Sequence, residues 1–238
     1  MRAALLIALA TGLAGCAGGP PVPAWQSQAE SAAARYQRAV LEGATGAAQA
    51  EFNRARNALT ATGDETQVAQ VELLRCALAV ASLAGGACPG FETLRADSTP
   101  AQRAYADHLA GRVLSAAEVG LLPAPQREAG AVLARLAAGS PAPGAPAVPQ
   151  ARADAVAAAL ARMEDPLSRL VAAGVAMQAG QGSARLLQLA VDTAAAQGWR
   201  RPLLAWLQAQ ALLAERTGDA QVAQRARARL RLVAGERP

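Results

Sequence analysis

Residues 62–90, "TGDETQVAQVELLRCALAVASLAGGACPG", decide how the chain is read. Gly63-Asp64 places an N-cap before an apolar run, because an Asp side chain accepts from the free N–H groups of a first helical turn. The run has helical periodicity and no strand alternation, and it predicts a helix over 64–84. Gly85-Gly86 and Pro89-Gly90 then enforce a turn. Two cysteines fall inside the stretch. If the helix ends near Ala84, Cys76 lies about 12 Å below that end at 1.5 Å per residue. The four residues to Cys88 span about 13–14 Å when extended. A Cys76–Cys88 disulfide is feasible but tight; two buried thiols packing as small hydrophobes is the other reading.

The same punctuation recurs outward from this stretch. Ser98-Thr99-Pro100 and Asp165-Pro166 put Pro in a first turn. Gly182-Ser183 and Gly218-Asp219 open two more helices. The helices expected are 25–42, 46–61, 64–84, 100–111, 124–138, 151–163, 166–180, 183–197, 201–216 and 219–234, with a short turn at 90–96. Turns of two to four residues between them imply antiparallel neighbours. "GSPAPGAPAVPQ" (139–150) cannot be helical, because Pro recurs every two or three residues. It reads as a linker or exposed loop between an N-terminal helical region (25–138) and a C-terminal one (151–238). The fold class is all-α. Ala dominates and buries little area, so the core must rest on Leu, Val and close helix packing.

"TGDETQVAQ" (62–70) is echoed by "TGDAQVAQ" (217–224), and each follows a helix rich in Ala and Leu. Ala48, Phe52 and Ala55 carry the spacing Ala-x3-Phe-x2-Ala. These features resemble the helical hairpins of tetratricopeptide repeats. The Trp, Leu-Gly and Tyr of that repeat's first helix are not recovered, and no 34-residue period runs through the chain. The resemblance implies antiparallel hairpins in a right-handed array; an irregular bundle is the alternative.

The N-terminus carries a separate signal. Residues 3–13 are apolar apart from Thr11 and Gly12, and Arg2 is the one charge before Cys16. About eleven residues are too few for a membrane span and suit the apolar core of an export signal. Leu13-Ala14-Gly15-Cys16 resembles the lipobox of bacterial lipoproteins. That resemblance implies removal of residues 1–15, acylation of Cys16 and anchoring to a membrane through its acyl chains, since two or more chains hold stably. Ala17, rather than Asp, implies sorting to the periplasmic face of the outer membrane. Residues 16–24, "CAGGPPVPA", would form a flexible tether. An ordinary export signal with an incidental cysteine is the other reading of these residues. Export would place Cys76 and Cys88 where disulfides persist.

Little in the chain suggests chemistry. Its 23 cations are all Arg, against 18 acidic residues, for a net charge of +5. The excess is modest and scattered and does not imply nucleic acid. His108 is the only histidine; it reads as a surface or half-buried residue making one local hydrogen bond. Without a second His or a free Cys pair, no usual zinc site is available, and no Gly-rich phosphate loop has the required spacing. Glu164-Asp165 is a carboxylate pair, but adjacent side chains diverge and Asp165 is needed as an N-cap. No catalytic residue, cofactor or metal is expected.

Two surfaces remain. "QGWRRPLLAWLQAQ" (197–210) sets Trp199, Arg200 and Arg201 at a helix N-terminus, where the macrodipole disfavours cations. Those arginines could await an anionic partner; alternatively Trp199 staples the inter-helix turn and the arginines are solvated. Arg225, Arg227, Arg229 and Arg231 repeat every two residues, so 225/229 and 227/231 occupy different flanks of the last helix. The expected function is a membrane-anchored helical scaffold that binds another envelope protein. The alternative is a cell-wall or anionic-ligand-binding lipoprotein using the Arg-rich C-terminal half.

Overall fold

The computed structural model describes residues 23–138 and 150–235. The expected export signal, Cys16, the expected tether up to residue 22, the Pro-rich stretch 139–149 and residues 236–238 lie outside the described residues. Twelve α-helices and no strand occur among the described residues. α1 (Ala24–Glu42) and α2 (Thr45–Thr60) form a first hairpin; α3 (Glu65–Ala81) follows. A single turn, α4 (Pro89–Glu92), leads to α5 (Pro100–Leu109), α6 (Ala116–Leu121) and α7 (Ala124–Ala138). Then come α8 (Gln150–Ala161), α9 (Pro166–Gln178), α10 (Ala184–Ala196), α11 (Arg200–Thr217) and α12 (Ala220–Ala234). No helix among the described residues is long and apolar enough to cross a membrane.

Local chemistry accounts for the helix starts. Asp64, Asp165, Ser183 and Asp219 accept from the backbone N–H of Thr66, Ser168, Leu186 and Val222. Thr99 and Gln102 form a reciprocal capping box ahead of Pro100. α6 was not anticipated from the sequence, although Ser115 and Glu118 carry its signal, a capping box with both bonds made. α1 begins at Ala24, one residue inside the stretch 16–24 expected as a tether.

The end of α3 corrects the expected 64–84. The helix stops at Ala81, and Leu83 takes φ +53°, the one non-glycine residue at positive φ among those described. Ala84 N–H reaches back to the Ala79 carbonyl and Leu83 N–H to that of Val80, which closes the helix in a Schellman turn. The earlier stop gives the chain room to return. Cys76 and Cys88 are joined in a disulfide with Cα atoms 5.8 Å apart.

α3 is the hub, touched by α1, α2, α4, α5 and α9. One hydrophobic cluster draws Leu73, Phe91 and Leu109 together with Leu160, Leu170, Leu186 and Trp206. The two regions on either side of 139–149 therefore share a core. Their seam is tight: a Cβ on Gly174 would stand 2.2 Å from the Val80 carbonyl oxygen. A second cluster lies under α1 and α2, where Tyr36 and Phe52 pack with ring centroids 5.2 Å apart beside Leu78. In a repeat array each unit touches only its neighbours. Here α3 meets α9 and α1 meets α11, so the helical hairpins wrap around α3 as a bundle.

Candidate functional site

The α10–α11 junction is built by α11 reaching back across the molecule. Trp206 is wholly buried, and its indole N–H donates to the Ala81 carbonyl at 2.9 Å. That carbonyl lies in the last turn of α3, where no intrahelical donor is available. Trp199, the N-cap residue of α11, is half-buried and packs against both clusters. It staples the turn and does not project as a free aromatic. Arg200 Nε and Nη2 donate to the carbonyls of Val233 and Ala234 at 3.1 and 3.2 Å. The cation disfavoured at the start of α11 thus serves the negative end of α12. Arg201 is exposed and lies near Tyr36, whose phenol is pushed up chiefly by burial, with Arg75 and Arg201 opposing.

The arginines of α12 do not converge. Arg227 pairs with Glu215 at 2.6 Å. Arg225 donates only to its own helix, at the Gln221 carbonyl, and Arg229 is half-buried on the same flank. Arg231 sits on the opposite flank, on the rim of an open groove. This groove, about 640 Å³, runs between α11 and α12 and reaches the end of α3. Leu83, Leu204, Leu212 and Leu230 supply its apolar walls, and Leu212 is half exposed. Ser82, also in the wall, is buried and its hydroxyl has no partner. The sequence carried no sign of this groove, because Leu83 reaches it only through a backbone conformation that Leu rarely adopts.

The disulfide holds a second cluster in place. It returns the chain so that Gly90 lies against Glu72 and Arg75; a Cβ there would come within 2.1 Å of Glu72 Oε2. Glu72 is buried, with Arg56 Nε at 3.2 Å from Oε1 and Arg75 Nη2 at 2.6 Å from Oε2. Arg75 also lies over the Phe52 ring at 4.8 Å. The carboxylate is paired with two arginines and is a structural joint between α2, α3 and α4.

His108 departs from the expected surface or half-buried histidine with a local bond. It is buried, and its Nε2 faces Gln126 Oε1 at 3.3 Å, eighteen residues away. Gln126 Nε2 in turn donates to the Ser168 carbonyl at 2.9 Å. That second bond presents the amide oxygen to the ring, so His108 donates from Nε2. Burial pushes its pKa down, more than the Gln126 bond raises it, which favours the neutral ring. A relay from α5 through α7 to α9 results. Ala104, one helical turn before His108, is buried on the same face of α5. Asp165 is occupied as a cap, with Ser168 N–H at 2.6 Å, so Glu164-Asp165 is not a free carboxylate pair. Cys16 lies outside the described residues. No protein-family model, curated protein or solved structure matches this chain.

Proposed function

We propose that this protein is a lipid-anchored, non-catalytic helical scaffold on the periplasmic face of the outer membrane, which docks another envelope protein. The anchor rests on the lipobox-like Leu13-Ala14-Gly15-Cys16 and the Gly/Pro tether behind it. The observation that carries the docking role is the groove of Leu83, Leu204, Leu212 and Leu230. It is open and largely apolar, with Arg231 on its rim. Such a groove suits the apolar face of an amphipathic helix, with an acidic residue of that helix against Arg231.

A photo-crosslinking residue at position 212 in living cells tests the docking role. The expected result is one envelope protein captured from 212 and none from exposed Leu121. A Leu204→Glu change should abolish the capture. Equal capture from 212 and 121 would remove the groove from consideration. Labelling cells with a clickable palmitate analogue tests the anchor separately: label should be present in the wild type and lost in Cys16→Ala.

A further inference from the structure

Arginines are scattered along the chain, but the charge balance is not. Residues 1–199 hold 15 arginines and 15 acidic residues; residues 200–235 hold seven arginines against Glu215 and Asp219. The whole net charge of +5 therefore lies on α11, α12 and the turn between them. α12 itself carries Arg225, Arg227, Arg229 and Arg231 and no acidic residue. Of the two acids that precede it, Glu215 is taken by Arg227 and Asp219 caps the helix. Arg225, Arg229 and Arg231 have no ion-pair partner among the described residues.

α12 packs on one side only. Ala223 and Ala226 are buried, and the partly buried Leu230 and Val233 continue that side. Leu232 stands nine residues after Ala223, which is two and a half helical turns, so it points away from the bundle. It is 78% exposed, the most exposed large hydrophobic side chain among the described residues. Exposed Ala228, one turn earlier, shares its outward line. Arg225 and Arg229 fall on one side of this line, Arg227 and Arg231 on the other. Arginines that diverge in this way cannot close around one small anion. A plane of anionic groups needs no convergence. An exposed Leu between the two rows further suits a plane with an apolar layer beneath its charges, where a basic amphipathic helix sets its cations at the phosphates and its apolar side chains below them. A polyanionic chain would use the arginines and leave Leu232 in water.

We infer that the outward face of α12 rests on an anionic phospholipid surface, with Arg225, Arg229 and Arg231 at the phosphates and Leu232 inserted between the rows. The proposed anchor contributes only the nearness of a bilayer; the contact itself needs no acyl chain. Leu232 does not line the α11–α12 groove, so the two surfaces can fail independently.

The test places an apolar photo-crosslinking residue at position 232 of the full chain and mixes it with vesicles of phosphatidylglycerol or of phosphatidylcholine. Lipid adducts at 232 are then measured by mass spectrometry. Acyl chains on Cys16, or the apolar residues 3–13, would hold the chain on either vesicle, so a difference between the two reports α12. Each arginine at an anionic surface favours it by about fivefold, so three predict a preference for phosphatidylglycerol of about a hundredfold at low salt. The preference should vanish at about 1 M salt, where the screening length is about 3 Å. It should be absent from position 121, exposed on α6. Arg225→Gln, Arg229→Gln and Arg231→Gln together should remove it, and that variant should fold, because none of the three side chains bonds to another helix. Equal yields from the two vesicles would overturn the inference, as would a preference that survives high salt or the triple change, or one equally strong at 121. Adducts at 232 in cells to a protein and none to lipid would also overturn it and make this face a protein interface.

Discussion

α3 and α12 begin alike and end in opposite situations. Each follows Thr-Gly-Asp, with Gly63 at φ +69° and Gly218 at φ +77°. Asp64 caps the N–H of Thr66, and Asp219 caps that of Val222. Both helices then read Gln-Val-Ala-Gln, one residue later in α3 than in α12. Ala69 and Ala223 are buried in both despite that offset. The apolar pair, and not the cap, therefore chooses the inward face. Beyond it the helices part. α3 continues "VELLRCALAVA" and is surrounded by five other helices. α12 continues "RARARLRLVA" and buries only Ala223 and Ala226. A helix apolar on all sides has to be enclosed, whereas one with Arg at every second position leaves most of its surface to water.

The largest effect expected from this contrast is at the seam on α3. Gly174→Ala adds about 1 kcal/mol of helix propensity but drives a methyl group into the Val80 carbonyl. Overpacking against backbone wins, and urea unfolding should show a net loss of about 3 kcal/mol. Gly46→Ala, on α2 with open space around it, should instead stabilise by about 0.5–1 kcal/mol. If both glycine changes stabilise, the seam is looser than the structure has it.

Cys88→Ser should come next. The disulfide closes a loop with a sequence separation of 12, and the loop-entropy relation assigns such a closure roughly 3 kcal/mol, less any native strain. Hydrogen exchange should quicken in 85–95 and leave α12 unchanged. Exchange that quickens equally in α12 would mean that the disulfide supports the whole bundle.

Caps should be equal where cores are not. Asp64→Ala and Asp219→Ala should each cost about 1 kcal/mol. A much larger loss at Asp64 would show that the cap and the core of α3 act together.

His108 supplies a pH test. Burial lowers its folded pKa below the ordinary 6.5. Between the folded and unfolded values only the unfolded chain takes up the proton, so stability is complete above about 6.5 and falls as pH drops below it. The urea midpoint should therefore decline between pH 7.5 and 5.5, above the range where carboxylates titrate. His108→Gln should flatten that decline.

The smallest effect belongs to α12. Arg225→Gln with Arg229→Gln should change stability by no more than about 0.5 kcal/mol, because neither side chain bonds to another helix. A loss as large as that of a cap would show a partner for these arginines that the helix itself does not supply.

Ten of the twelve helices and five of their caps were legible from residues alone. The reason is range: an Asp or Thr cap, a Pro in the first turn and apolar spacing all act within about four residues. α6 was legible in the same way through Ser115 and Glu118, but it was too short to stand out. The site features were not legible, because each joins groups far apart in the chain. Trp206 reaches Ala81 across 125 residues, Gln126 reaches Ser168 across 42, and Arg200 reaches Val233 across 33. From sequence, Arg200 was either a cation awaiting an anionic partner or a solvated one; in the fold it is neither, because it donates to the carbonyl end of α12. His108 looked peripheral, and only the packing of α5 against α7 and α9 buries it.

The sequence by itself thus determined where helices start, that the chain is all-α, and that Cys76 and Cys88 are within reach of each other, because those depend on short-range geometry. Tertiary structure decided which helix lies at the centre, that the regions flanking 139–149 share one core, and where the groove opens. Those follow from which apolar surfaces find one another, and Gly174 against Val80 is where that choice is made at closest range.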